Sequence, residues 1–413
     1  MIQRIVVVND SSVAKGGATG LALASALAFR RRGLAVTLLT GDAGRNEELA
    51  EAGVEVVGLG QDRLMSSPMH QVFFTALYNR PAKDMVSAWI AANDTPGTVY
   101  HLHGWAQILS PSVFDALKPV SQRLVLSAHD FFLVCPNGAF ASLSSGAVCP
   151  LTPMSAACIA TNCDRRSYAH KLWRVARQAV RQSVFDLKRE APPVLAIHES
   201  MRGYLVRGGL PDAAVRTLPN PVSPFLTERA PAEANREFLF IGRLEGGKGP
   251  DLAAAAARRA GVTLRVIGDG PMRVALERDY PEVVFSGRRT WAEIGPLARR
   301  ARALVMPSRY PEPYGLVAAE ALWSGLPVIA AETAFLAPDI VAAGAGLACD
   351  PRNEEAVAMA MRALMNDERA RAMSINAFEN TRAIGLTPEA WIAGLLDAYG
   401  QRLGGRRGEE VAA

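Results

Sequence analysis

No stretch of about 18 consecutive uncharged apolar residues occurs anywhere in the 413-residue chain, so the sequence predicts no helix that crosses a membrane. Nor does a charged leader with its apolar core precede the first strand-like run. Met1 leads almost directly into Ile5-Val6-Val7-Val8, which argues against a secretory signal. Together these absences predict a cytoplasmic protein, at most peripheral on the cytosolic face of a membrane. The chain also lacks Asp-x-Asp, the carboxylate pair that usually holds a metal-bound diphosphate, and none of its five cysteines forms a CxxC pair. No metal and no organic cofactor is expected on this pattern.

Cysteine spacing leaves one alternative open. Four of the five lie at Cys135, Cys149, Cys158 and Cys163, with gaps of 13, 8 and 4 residues, looser than paired zinc ligands usually are. Free thiols in a cytosolic loop and a metal cluster are the two readings, the first favoured. A disulfide does not suit the compartment. Cys349 stands alone as a small core residue.

Charge is scarce in excess but concentrated in place. The net charge is +5, and Lys171–Arg189 alone holds six basic residues against Asp186, which accounts for all of it. The rest of the chain is neutral, a distribution that suits one local anionic partner and excludes a nucleic-acid binder coated in positive charge. The segment has helical periodicity, with Arg174, Arg177, Arg181 and Lys188 on one face. A basic amphipathic helix of this kind can lie on anionic lipid, while the plainer reading is a solvated face of an ordinary domain helix.

Hydrophobic residues at 49% and charged residues at 21% give a globular balance, and the length suits two domains. Short apolar runs at Ile5–Val8, Ala35–Thr40, Val54–Leu59, Thr98–Leu102, Arg123–Ser127 and Val194–Ile197 alternate with helical patterns. A second series follows at Phe238–Ile241, Thr263–Ile267, Val283–Phe285, Ala303–Met306 and Pro327–Ala330. Such alternation predicts α/β architecture with parallel sheets, here two doubly wound, Rossmann-like domains facing a cleft. The expected division is 1–225, 236–385 across a polar linker, and a C-terminal helix and tail over 386–413 that packs back toward the first domain. A ligand then belongs at the carboxyl ends of the strands.

Two stretches carry chemistry. In Phe240-Ile-Gly-Arg-Leu-Glu-Gly-Gly-Lys-Gly249 a strand ends at Gly242, delivering Arg243, and a glycine turn delivers Lys248. Two fixed cations at a sheet edge can neutralise a diphosphate without a metal. In Pro307–Ala330 a strand gives way to a proline-rich loop with Glu312, and a helix starts near Gly315. The N–H groups of Gly315 and Leu316 there lack intrahelical partners and suit a phosphate oxygen. Glu312 and Glu320 flank that end, and carboxylates beside an anion site suit sugar hydroxyls, since each can accept two. Singly, each of these residues reads more simply as a surface charge.

The combination GRLxxxKG with ExYGLVxxExxxxGxPV resembles the family-four retaining glycosyltransferases of the GT-B fold, glycosyl transferases group 1. The likeness extends over nearly the whole chain, including Gly268-Asp-Gly-Pro271 and Val305-Met-Pro-Ser308. It implies that Arg243 and Lys248 bind the donor diphosphate, Glu312 the donor sugar, and Glu320 the ribose, with Tyr314, Gly315 and Leu316 completing the donor site. It further implies that Gly16-Gly17 is the glycine loop near the donor and that His129 is the strand-end histidine acting with Glu312 in catalysis; His103, by its own place at a strand end, is a candidate on the acceptor side. The implied partners are a UDP- or GDP-sugar and a glycan or lipid-linked acceptor, in cell-surface polysaccharide synthesis. The rival readings are a GT-B sugar-nucleotide epimerase and a non-catalytic partner subunit of a transferase.

Overall fold

The computed structural model describes residues 1–14, 16–63 and 69–404. They gather into two compact units, one made of 1–144, 149–218 and the chain from Glu389 on, the other of 145–148 and 219–388. The polar stretch near 227–236 belongs wholly to the second unit. The N–H groups of Phe225 and Leu226 both donate to Ser324 Oγ, and Arg229 pairs with Glu233 at 2.7 Å.

The first unit is built on a seven-stranded sheet of order β3-β2-β1-β4-β5-β6-β7. Its strands are β1 (Arg4–Asn9), β2 (Ala35–Thr40), β3 (Glu55–Gly58), β4 (Thr98–Leu102), β5 (Leu124–Ala128), β6 (Val194–Ala196) and β7 (Val215–Thr217). All six pairings are parallel. Parallel strands must be buried on both faces, which is why β1 reads as an unbroken apolar run and why Ile5 to Val8 have no exposed surface. Helix Pro388–Gly404 belongs to this unit from Glu389 on. It buries Trp391, Ile392, Leu395 and Tyr399, sets Tyr399 against Phe29, and sends Arg402 to the Ser121 carbonyl at 2.9 Å.

The second unit has a six-stranded parallel sheet, order β10-β9-β8-β11-β12-β13. The strands are β8 (Glu237–Ile241), β9 (Leu264–Ile267), β10 (Val284–Phe285), β11 (Ala301–Met306), β12 (Val328–Ala331) and β13 (Gly346–Cys349). Helices Pro250–Ala260 and Glu354–Leu364 supply Ala253, Ala257, Val357 and Met361 to the core formed with Phe238, Val305 and Ile329. The fold class is thus the doubly wound α/β one that alternation in the sequence predicts.

The basic segment corrects one expectation. Helix Tyr168–Val184 stops short of Lys188, which lies in the separate turn Leu187–Glu190. The helix does not offer a charged face to lipid, because most of that face points into the unit. Lys171 is 1% exposed and donates to Cys158 Sγ at 3.4 Å. Arg174 pairs with buried Asp164 at 2.8 Å. Arg177 donates to the carbonyls of Ala76 and Ala106 and lies over the rings of Trp105 and Trp173. Arg181 is 3% exposed. Charges held this way cannot meet an anionic leaflet, so the membrane role drawn from Lys171–Arg189 falls. Among the described residues no helix is long and apolar enough to cross a membrane.

A buried charge of the second unit gives a test of what holds it. Arg302, fully buried on β11, donates to the carbonyls of Ala232, Glu233 and Asn235 at 2.9–3.1 Å and to Asp367 at 2.7 Å. Replacing it by Leu leaves these acceptors without their donor, at about 1–3 kcal/mol for each group that stays dry. Arg302→Leu is expected to lower stability by roughly 3 kcal/mol or more, read from the urea midpoint. A loss below about 1 kcal/mol would mean that water takes its place.

Candidate active site

In a doubly wound sheet the crevice opens where the strand order reverses, and the carboxyl ends of the strands there carry the ligand. The reversals lie beside β1 and β4 in the first unit and beside β8 and β11 in the second. Each of these edges collects the polar residues that the sequence singled out.

At the first edge a cavity is lined by Asn9, Asp10, Thr19, His103, His129 and Asp130. Asp10 is buried and accepts from the N–H groups of Gln107, Ile108 and Leu109 at 2.8–2.9 Å, which fixes the loop after β4. Gly16 precedes helix Gly17–Arg31 in extended conformation, and a Cβ there would meet open space. The glycine loop is therefore open to an approaching ligand.

Three histidines stack in line on this edge. His101 is held at both nitrogens, Nδ1 by Tyr399 OH at 2.6 Å and Nε2 by Ser127 Oγ at 2.9 Å. Its ring lies 3.9 Å from that of His103, and His103 Nδ1 meets His129 Nε2 at 3.0 Å. Burial disfavours the imidazolium, lowering His101 to about 3 and His129 to about 4, with His103 well below its ordinary value. All three are neutral at pH 7. A single N–H then joins His103 to His129, leaving His103 Nε2 and His129 Nδ1 without hydrogen-bond partners among the described residues. Sequence reasoning placed His103 and His129 at strand ends but missed Asp10, and missed Tyr399 as an anchor for the stack.

At the second edge Lys248 and Glu312 come together, with Nζ 2.7 Å from each carboxylate oxygen. Ser308 Oγ adds a third bond to Glu312 at 3.1 Å. Burial alone would raise the Glu312 pKa, but the charge and hydrogen bond of Lys248, then Ser308 and Arg243, hold it below the ordinary value. Gly249 keeps this geometry possible: it has φ +71°, and a Cβ would sit 2.2 Å from the Pro307 carbonyl. Arg309, which the sequence did not flag, ties the two loops by donating to Gly246 O at 2.6 Å and to Asp251 at 2.8 Å. Arg243 is exposed and pairs with Glu245 at 2.8 Å.

Helix Leu316–Trp323 starts from Gly315 at φ +79°, where a Cβ would crowd Met306 at 3.0 Å. Its first N–H groups point out of the helix at the same edge. Glu320 is 8% exposed and burial lifts its pKa to about 8. Tyr314 departs from the expected donor contact. Its side chain is 2% exposed and its hydroxyl donates to the Ile384 carbonyl at 2.8 Å, so the ring braces the loop before Gly315 and has no surface left for a ligand. The metal alternative also fails. Cys135 and Cys163 each lie 3.2 Å from the amide of Asn137, Cys158 takes Lys171, and among the described residues no group of three or more His, Cys, Asp or Glu can hold an ion.

Glu320 predicts a pH signature. Its folded pKa lies above the unfolded one, so the folded state binds the extra proton and stability falls as pH rises from about 4.5 to about 8. Glu320→Gln removes that loss. The variant's melting midpoint should match wild type near pH 4.5 and exceed it at pH 8 by about 2–4 °C or more, the size of 1 kcal/mol. An unchanged difference across that range counts against a strained carboxyl.

Comparison with known proteins respects the same division. Residues 226–380 match the family described as glycosyl transferases group 1. Glycogen synthase of Mycobacterium tuberculosis is 30% identical over 265 residues, 60% of this chain and 61% of that protein, so the chain spans about three fifths of the relative's length. Among solved structures, sucrose-phosphate synthase from Thermosynechococcus elongatus aligns with a TM-score of 0.72 at 20% identity, covering 98% of this chain and 100% of that one. Anabaena HepE in complex with UDP gives 0.67 at 17%, covering 96% and 100%. At these identities the structures speak for the fold alone. Residues 226–380 are thus a glycosyl transferases group 1 domain, and the chain has the GT-B fold.

Proposed function

We propose that this protein is a retaining, metal-independent glycosyltransferase that moves a sugar from a UDP- or GDP-sugar to a glycan or lipid-linked acceptor, in the synthesis of a cell-surface polysaccharide on the cytosolic side. The observation that carries the reading is the Lys248–Glu312 pair at the carboxyl edge of β8 and β11, beside the start of helix Leu316–Trp323. An ammonium has three N–H donors, and Glu312 takes two. The third can reach a phosphate oxygen while Glu312 keeps lone pairs for sugar hydroxyls. Arg243 and the helix N-terminus add positive charge where the diphosphate leaves. UDP bound to HepE is consistent with such a donor.

In the reaction we infer, the acceptor hydroxyl oxygen bonds to the anomeric carbon as the bond to the β-phosphate oxygen breaks. The proton passes to that phosphate oxygen on the same face, so configuration is kept. Glu312 and neutral His129 orient the sugar and stabilise its developing charge without attacking it. Glu320 suits the ribose diol. A diol donating to it lowers its pKa from about 8, so donor binding near neutral pH releases a proton.

The test is transfer from a panel of nucleotide-sugars to glycan and lipid-linked acceptors in excess chelator, with products read by mass spectrometry and linkage by NMR. Retained anomeric configuration in EDTA is expected. Rescue by magnesium or manganese, an inverted product, epimerised donor without acceptor, or no donor consumption would each reject the proposal.

Two substitutions probe the site itself. Glu312→Gln removes a charge-assisted bond worth about 1.5–3 kcal/mol, so kcat should fall roughly 10- to 150-fold. His103→Asn keeps a polar atom near the Nδ1 position and should retain most activity. His103→Phe fills the space without one and should lower kcat more than it raises KM. Equal kinetics for the two His103 variants would reduce that residue to packing.

A further inference from the structure

The concentration of positive charge between Lys171 and Arg189 still asks for an account, because most of it is consumed inside the unit. Lys171 has Cys158, Arg174 has Asp164, Arg177 has two carbonyls and two aromatic rings, and Arg189 has Glu190 at 3.1 Å. Two cations remain. Arg181 and Lys188 both line one solvent-open cavity of ≈ 290 Å³, whose other walls include Gln182, Phe185, Gly208 and Gly209.

Arg181 is the poorly satisfied member of the buried guanidiniums. Arg302 has three backbone carbonyls and a carboxylate, and Arg177 has its carbonyls and rings. Arg181, equally buried, donates Nη1 to the Phe185 carbonyl at 3.1 Å, while Nε has no partner among the described residues. The edge formed by Nε and Nη2 is the fork that matches two oxygens of an oxyanion. Burial of this charge pulls its pKa down to about 10, and among the described residues Asp186 is the neighbouring counter-charge. An isolated buried charge is costly, and an incoming anion offsets that cost.

Lys188 completes the arrangement. It is exposed, and its ammonium forms no ion pair among the described residues. Its side chain lies over Gly209, with Nζ 3.9 Å from where a Cβ there would be. At Gly209 the φ of +100° disfavours any side chain, and a Cβ at Gly208 would strike Val134 at 2.4 Å. The two glycines keep this wall bare. Asp186 is the opposing charge on the cavity. Its Oδ1 accepts from the Lys188 N–H at 2.9 Å as a helix cap, and it leaves the lining with one net positive charge.

We propose that this cavity is a binding site for a soluble phosphate group, taken between the free edge of Arg181 and the ammonium of Lys188. A phosphate fits better than a carboxylate because two cations on separate elements can share its charge and its several oxygens. The volume is at the lower edge of ligand pockets, roughly 300–1,000 Å³, so it has room for a small phosphomonoester as well as the free ion. The site does not depend on the transferase reading.

Isothermal titration of the full chain with inorganic phosphate, and separately with glycerol 3-phosphate, tests it. Wild type should bind at millimolar concentration. Lys188→Gln should weaken binding about tenfold or more, the loss of one charge-assisted contact. Asp186→Asn keeps a cap and removes the repelling charge, so it should tighten binding. Lys248→Gln, at the other candidate phosphate edge, should leave this binding unchanged. Arg181→Gln is a weaker probe because the residue is buried and the variant can misfold. Binding of the ion but not the ester assigns the site to free phosphate, and binding of both to phosphomonoesters. No binding by wild type, or binding indifferent to Lys188→Gln, overturns the proposal.

Discussion

Every strand pairing in both sheets is parallel, and that single constraint arranges most of the molecule's chemistry. A parallel strand cannot return by a hairpin; it needs a crossover, and each crossover departs from the same edge of the sheet. The loops after β1, β4 and β5 therefore collect at one edge of the first unit, and those after β8 and β11 at one edge of the second. Residues far apart in sequence become neighbours: Asp10 reaches the N–H groups of Gln107 to Leu109, and Lys248 reaches Glu312. Since both faces of each sheet must be covered, polar side chains have few places to go except these edges.

The two edges handle burial in opposite ways. The first keeps its titratable rings uncharged: desolvation outweighs protonation for His101, His103 and His129, and each finds a neutral partner. The second keeps charge but pairs it, with Lys248 bidentate on Glu312 and Ser308 taking a further lone pair. Glu320, a turn and a half into its helix, is the exception, since burial leaves it with a pKa near 8 and no counter-charge to lower it. Strained groups of this kind are drawn to functional positions because a ligand can relieve them.

What the sequence made legible was local. Strand runs, the glycine at the start of helix Leu316–Trp323, and the spacing from Arg243 to Lys248 and from Glu312 to Glu320 can all be read within about one element. Unreadable features depended on distant partners. Periodicity put Arg174, Arg177 and Arg181 on one helical face but could not say what covered it, and the covering groups include carbonyls at Ala76 and Ala106, far back in the chain. Tyr399 holds His101 from 298 positions away. Tyr314 was found at the right place in its motif, yet its hydroxyl serves the Ile384 carbonyl, a contact that no local pattern announces.

The difference between the edges bears on the kind of ligand each suits. A hydroxyl is both donor and acceptor and carries no charge. Neutral imidazoles can meet it in either role, whereas an imidazolium could only donate and would attract anions instead. A diphosphate, by contrast, needs fixed cations. Glu312 fixes Lys248 in place before any ligand arrives, at the cost of two of its three donors. The pair is thereby ordered in advance, so little reorganisation would remain for any negative charge developing beside it.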